Sequence, residues 1–247
     1  MELQKLYSYV RQAIETYGMI REGDHIAVGI SGGKDSLTLL YALAGLRSFY
    51  PKKFALTAIT VHLGLEDMDF APVQALCKTL DVPYEIVETH IGEIVFDVRR
   101  EKHPCALCAK LRKGALNEKA LELGCNKIAY AHHRDDFVDT FFLSLLQEGR
   151  IASLSPQFVL ERTGLVLIRP MMLVPEAQIK GFCRKYELPV VKNSCPADGN
   201  TTREQVRQTI RQLQAVYPDL RTRVFTAICK ADFDDWMNGA FFDGISG

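Results

Sequence analysis

Between two apolar runs the chain carries Ser31, Gly32, Gly33, Lys34, Asp35 and Ser36, a hexad of the form SGGxDS. The glycines permit a tight turn, the serines supply hydroxyl donors and Lys34 supplies a fixed positive charge. Asp35 can order Mg²⁺ or the loop itself. After a strand and before a helix, such a loop exposes backbone N–H groups at the positive end of the helix, where phosphate binds well. The patterns GxxxxGK[ST] and GxGxxG are both absent, which argues against γ-phosphate transfer by a Walker loop and against dinucleotide binding. A helix capped by Asp35 or Ser36 would account for a cap but not for the whole hexad.

In "KHPCALCAKLRKG", Cys105 and Cys108 form a CxxC where a loop meets a helix. Two thiolates at that spacing can grip one metal or one cluster, and the adjoining cations favour the thiolate form. The same spacing also fits half a zinc knuckle, a redox dithiol or two packed small residues. No second CxxC follows, so zinc on four cysteines is poorly supported. Cys77, Cys183 and Cys229 lie among apolar helical neighbours and Cys125 precedes an apolar strand, which reads as core. Cys195 differs: "VKNSCPADGN" is a polar turn, so Cys105, Cys108 and Cys195 could together hold a cluster with one iron left for sulfide. In "AYAHHRDDFVDTFF", a strand ends at Ala131 and His132, His133, Arg134, Asp135 and Asp136 begin a helix. Carboxylates there also fit a plain helix-capping role. At the carboxyl edge of a sheet, however, Asp135 or Asp136 could hold Mg²⁺ against phosphates and His133 could contact a reacting oxygen.

The elements that position these groups are legible from periodicity. Leu3, Leu6, Val10, Ile14 and Tyr17, spaced by three and four, predict a first helix. β-prone runs beginning at His25, Phe54, Tyr84 and Lys127 then alternate with helical stretches at 36–49, 69–80 and 108–123. This βαβα rhythm predicts a doubly wound parallel sheet with helices on both faces, an α/β fold. Past Gln147 it gives way to a hairpin in "QFVLERTGLVLIR", a helix starting at Pro175 and a basic helix from Thr202 to about Val216. The expected division is an α/β nucleotide domain over 1–150 and a C-terminal segment, with a small helical appendage, over 151–247.

Hydrophobic content of 47% and charged content of 24% are those of an ordinary globular chain. No signal peptide or membrane span is evident, and seven cysteines is an odd number, so a cytoplasmic protein is expected rather than a disulfide framework. Formal net charge is zero but unevenly spread. Residues 96–117 carry six basic against two acidic side chains, 201–223 carry five against two, and the tail from Ala231 has four aspartates and no base. Two basic patches suit an anionic polymer. Arg203, Arg207 and Arg211, four apart on one helix, are the expected phosphate contacts.

The hexad resembles the pyrophosphate loop of the N-type ATP pyrophosphatases, which transfer AMP to an oxygen and release pyrophosphate. Together with the CxxC followed by "AKLRKGAL", the HHRDD stretch and the late Cys195, the chain resembles the tRNA 2-thiocytidine synthesis family, the tRNA-cytidine 2-sulfurtransferases, over roughly Met1 to Phe225. That resemblance implies an adenine nucleotide alpha hydrolase-like fold, a homodimer, and thiolation of cytidine 32 of tRNA. It implies ATP with its phosphates on Ser31, Gly32, Gly33, Lys34, Asp35 and Ser36 and its adenine near Gly29 and His62. It further implies a [4Fe-4S] cluster on Cys105, Cys108 and Cys195, and with ATP so placed Mg²⁺ is expected at or near Asp35 and Asp135 and His133 at the reacting oxygen. A cysteine desulfurase or free sulfide would supply sulfur. The chain departs from the family pattern where His62, Leu63 and Gly64 replace Asn-Leu-Asp and where Cys195 is a single late thiol. Two other readings fit the residues: a pyrophosphate-loop ligase or amidating enzyme with structural zinc on the CxxC, and a non-enzymatic ATP-binding redox sensor.

Overall fold

The computed structural model describes residues 1–64, 68–99, 104–191 and 202–231. Cys195 and most of the acidic tail lie outside the described residues. Helix α1 (Leu3–Thr16) leads into β1 (Asp24–Gly29), α2 (Lys34–Arg47), β2 (Phe54–His62), α3 (Ala71–Thr79) and β3 (Tyr84–Glu88). A single turn, α4 (Ile91–Glu93), runs on as a π-helical turn over Ile94–Val98, and α5 (Pro104–Glu122), β4 (Lys127–Ala129) and α6 (Arg134–Glu148) follow. The chain continues through β5 (Gln157–Val159), β6 (Val166–Ile168), α7 (Glu176–Lys185), α8 (Thr202–Val216) and α9 (Leu220–Lys230).

The strands form one sheet in the order β3-β2-β1-β4-β6-β5. All pairs are parallel except β5 on β6, the expected hairpin, and β6 continues the sheet by pairing with β4. Alternate residues of β1 feed two cores. Ile26 and Val28 join the larger one with Leu6, Leu37, Leu40 and Phe137, whereas Ala27 joins Ile59, Ile128, Leu116 and Ala120 on the opposite face. Close packing of α1 on α2 depends on Gly45, where an added Cβ would lie 1.8 Å from the Tyr7 hydroxyl oxygen. No described helix is long and apolar enough to cross a membrane.

Two boundaries shift in ways that matter for chemistry. Helix α5 carries Cys105 in its first turn and Cys108 in its second, and it begins at Pro104. Proline's missing N–H suits that position. Strand β4 ends at Ala129, because after Tyr130 donates to the Ile168 carbonyl oxygen the chain turns and His133 becomes the N-cap of α6.

Helix α8 has the expected bounds, but its arginines do not form one solvated stripe. Arg207 Nε donates to Asp139 Oδ2 at 2.6 Å, and Arg221 Nη1 on α9 donates to Asp139 Oδ1 at 2.9 Å. Asp139 is only 1% exposed. Arg211 faces outward and pairs with Glu204 at 3.3 Å, while Arg203 approaches Asp136 at 3.7 Å. The apolar residues Val206 and Ile210 are buried, and their side of the helix carries Arg207 inward with them. One carboxylate thus clamps α8 and α9 to α6. Asp139→Ala should lower unfolding stability by about 3 kcal/mol, since it strands two partly buried cations; urea denaturation followed by circular dichroism measures this.

Candidate active site at the carboxyl edge of the sheet

Strands β1 and β4 are neighbours, yet the chain reaches β4 only after passing outward through β2 and β3. The order therefore reverses between them, and ligands of open α/β sheets bind in the crevice outside such a point. A cavity of about 420 Å³ lies there. Its lining includes Gly29, Ser31, Asp35 and Ser36 from the hexad region, Tyr130, His132 and Asp136 from the β4–α6 junction, and Arg203 from α8.

Loop geometry explains how an anion could be held. The N-cap of α2 is Gly33, and no side chain caps the helix. Instead the Ser36 hydroxyl accepts from the Ser31 N–H at 3.2 Å and donates to the Gly33 carbonyl oxygen at 3.0 Å, folding the loop on itself. Gly32 adopts φ +78°, and a Cβ there would lie 2.8 Å from Val191 Cβ. The first N–H groups of α2 are therefore left without side-chain caps at the helix's positive end.

Asp35 and Asp136 both line the cavity. Asp35 Oδ1 is buried and has no hydrogen-bond partner, while Asp35 Oδ2 accepts from Lys34 Nζ at 2.8 Å. Burial pushes the Asp136 carboxyl above its ordinary value and the Asp35 charge adds to this, against the pull of His133 and Arg203. Two facing carboxylates, one with an orphaned oxygen, fit the way Mg²⁺ is commonly held by one or two carboxylates plus phosphate oxygens.

Asp135 is turned elsewhere. Its Oδ2 accepts from the Glu176 N–H at 2.8 Å and its Oδ1 lies 3.4 Å from Arg221 Nη1, so it ties α6 to α7 and α9. His133 is 3% exposed and does not line the cavity; its Nε2 is 3.8 Å from Asp35 Oδ1. His132, one residue earlier, does line it. Lys34 is not in the lining either: Nζ bridges Asp35 and Glu176 Oε1, the latter at 3.2 Å. His62 lies at the end of β2, 3.0 Å from Glu88 Oε2 and edge-on to Phe70, while its strand neighbours Ile59 and Val61 face the cavity with Leu116.

Helix α5 connects the CxxC to this cavity. Cys105, Cys108, Ala109, Arg112 and Leu116 fall at spacings that keep one helical face. Ala109, Arg112, Lys113 and Leu116 line the cavity; the half-buried Cys108 directly precedes Ala109, and the exposed Cys105 lies one helical turn before it. Among the described residues no three His, Cys, Asp or Glu side chains converge as a metal site. Motif and spacing single out none of Arg169, Glu176 and Tyr130. An arginine inside the apolar run "LVLIRPMM" was the available signal for the first.

A phosphate-accepting loop and a carboxylate pair at the switch point of a parallel sheet define a nucleotide-binding protein of the pyrophosphate-loop class. The family model described as the PP-loop domain matches residues 3–214. The tRNA-cytidine(32) 2-sulfurtransferase of Dechloromonas aromatica is 37% identical over 232 residues, 92% of this chain and 81% of that protein. Its counterpart from Geobacter sulfurreducens is 33% identical over 228 residues, 91% of this chain and 89% of that protein. The solved U34-tRNA thiolase NcsA of Methanococcus maripaludis, with its [4Fe-4S] cluster, shares the fold at a TM-score of 0.70 and 23% identity, over 90% of this chain and 77% of that one. The chain belongs to the tRNA-cytidine(32) 2-sulfurtransferase family of PP-loop proteins, and it is an enzyme.

The Lys34 bridge has a measurable acid signature. Burial alone would raise the Glu176 carboxyl, but Lys180 and Lys34 outweigh it and hold the group down to about 2, below its ordinary 4.5. A carboxylate lowered on folding adds stability above its unfolded value and loses it as pH falls through the folded value. Glu176→Gln should therefore be less stable than wild type at neutral pH and should flatten the loss of stability between about pH 4.5 and 2. Urea midpoints measured against pH give the comparison; an unaltered acid limb would contradict the assignment.

Proposed function

We propose that the chain catalyses ATP-dependent thiolation of tRNA, with the C2 oxygen of a cytidine as the group replaced. The observation that carries this reading is the cavity itself, where the SGGKDS loop, the α6 amino terminus and the CxxC-bearing helix meet. The names of the relatives supply the substrate, and cytidine 32 is the position they share. In the first step the C2 oxygen attacks the α-phosphorus of ATP, the bond from that phosphorus to the bridging oxygen breaks, and pyrophosphate leaves. In the second, sulfur bonds to C2 and the carbon–oxygen bond breaks, releasing AMP.

The chain's own groups have separable tasks in this scheme. The loop over residues 31–36 and the uncapped start of α2 hold the phosphates, and Ile59, Val61, Leu116 and Gly29 offer an apolar slot for adenine. His62, at the end of β2, is one residue past Val61 and is not part of the slot's lining. Arg112, Lys113 and Arg203 neutralise charge that builds on the phosphoryl oxygens, which is where preorganised donors lower the barrier most. Asp35 and Asp136 would hold Mg²⁺, which offsets phosphate charge when bound; Asp135 orders the helix that carries Asp136. Cys105, Cys108 and Cys195 would hold the [4Fe-4S] cluster, which would supply sulfur at the sulfide level for the second step. A cysteine desulfurase or free sulfide provides the sulfur, the enzyme acts in the cytoplasm, and two copies form the working dimer. The reactive cytidine must leave its stack to reach so recessed a cavity, which costs least in a single-stranded loop.

Lys34→Ala should abolish tRNA-dependent pyrophosphate release while leaving the absorbance of the cluster unchanged, because loop and cysteines act independently. Pyrophosphate release at the wild-type rate would remove the loop assignment. Cys195→Ser should lose most bound iron and all thionucleoside formation under anaerobic conditions, whereas Cys183→Ser, half-buried on α7, should keep its iron. Colourless wild-type protein containing zinc would return the CxxC to the structural-zinc reading.

A further inference from the structure

Behind the cavity wall lies a couple formed by His132 and Arg169. His132 lines the cavity, and Arg169, next to the end of β6, is 6% exposed. Arg169 Nε donates to His132 Nδ1 at 3.2 Å. The same guanidinium donates to the Ser155 carbonyl oxygen and lies over the Phe158 ring, 5.3 Å from its centroid, so its position is fixed on three sides.

A guanidinium offers only donors. An Nδ1 that accepts from it must present a lone pair, so the imidazole is neutral and its one proton resides on Nε2. That nitrogen has no partner among the described residues, and the ring borders the cavity that Ser31, Asp35 and Ser36 also line. The surroundings favour the same state. Burial, then the charges of Arg169, Arg203 and Lys113, push the His132 imidazolium down to about 3. Arg112 on α5 lines the same cavity, Tyr130 meets the ring edge-on at 5.9 Å, and Asp35 and Asp136 are the carboxylates in the lining.

We propose that His132 is a fixed neutral hydrogen-bond donor, through Nε2–H, to a phosphoryl oxygen of the bound nucleotide, and that Arg169 is the positioning residue that selects this tautomer. This rests on the cavity being the nucleotide site. No proton is transferred: Nε2 already carries its hydrogen and Nδ1 is occupied, so His132 cannot act as a base. A neutral donor gives a directed hydrogen bond where three cations already border the cavity, and it needs no reorganisation as charge develops. The role passes to His132 from the adjacent His133, which caps α6.

The test uses the full chain with ring-¹⁵N histidine, His132→Gln assigning the signal. Wild type should show protonated Nε2 and unprotonated Nδ1 across about pH 5.5 to 8, and Arg169→Gln should give mixed tautomers that titrate in that range. An imidazolium or an Nδ1–H tautomer in the wild type would overturn the proposal. Equilibrium binding of MgATP supplies the second readout. His132→Phe should bind roughly ten- to a hundredfold more weakly, and His132→Gln, which keeps a donor, should recover most of the loss. Equal binding by wild type and His132→Phe overturns this inference and leaves the nucleotide site standing. No ATP binding by the wild type overturns both. The spectra do not depend on His132→Phe folding.

Discussion

Parallel pairing of β1 with β4 is the constraint from which the site follows. Right-handed crossovers return the chain so that both strands end at the same edge, and the helices after them start there side by side. Each start is a region of positive potential. Together they make a place where two carboxylates, Asp35 and Asp136, can face one cavity and where a polyanion is still welcome. Move β4 one position along the sheet and the hexad would remain a loop with a helix behind it, without opposing groups.

The opposite edge of the same two strands is closed. Lys127 Nζ donates to Asp24 Oδ2 at 2.7 Å and to the Met19 carbonyl oxygen at 2.8 Å, and both side chains of the ion pair are 4% exposed. Burial lowers the Lys127 ammonium below its ordinary value, although Asp24 acts the other way. A buried pair of this kind adds little net stability but is costly to break, so it fixes the register of β4 against β1. Fixing that end fixes the end where chemistry takes place.

Positive charge is divided by depth. Arg207 and Arg221 are drawn to Asp139 and hold helices together, Arg169 is buried behind His132, and Arg203, Arg112 and Lys113 border the cavity. A chain with zero formal charge thus keeps three cations at its cavity while Asp135 and Asp139 are committed to holding helices together.

Residue types and their spacing determined much of this protein. The SGGKDS hexad between a strand and a helix specified a phosphate loop, because glycine and hydroxyl positions act over six residues, and the βαβα rhythm specified a parallel sheet because burial on both faces leaves continuous apolar strands. The bounds of α8 and the hairpin of β5 with β6 were equally local. What only the tertiary structure decided was direction. Asp135 and Asp136 are adjacent in sequence and equal in chemistry, but a helix turns about 100° per residue, so one lines the cavity and the other ties α6 to α7 and α9. The same turn of the chain aims His132 at the cavity and buries His133 away from it, and the packing of α8 on α6 converts Arg207 from an expected phosphate contact into an internal clamp. Those outcomes depend on partners 37 to 86 residues away, Glu176 and Arg221 for Asp135, Arg169 for His132 and Arg207 for Asp139. Such pairings arise from long-range packing, on which local spacing carries no information.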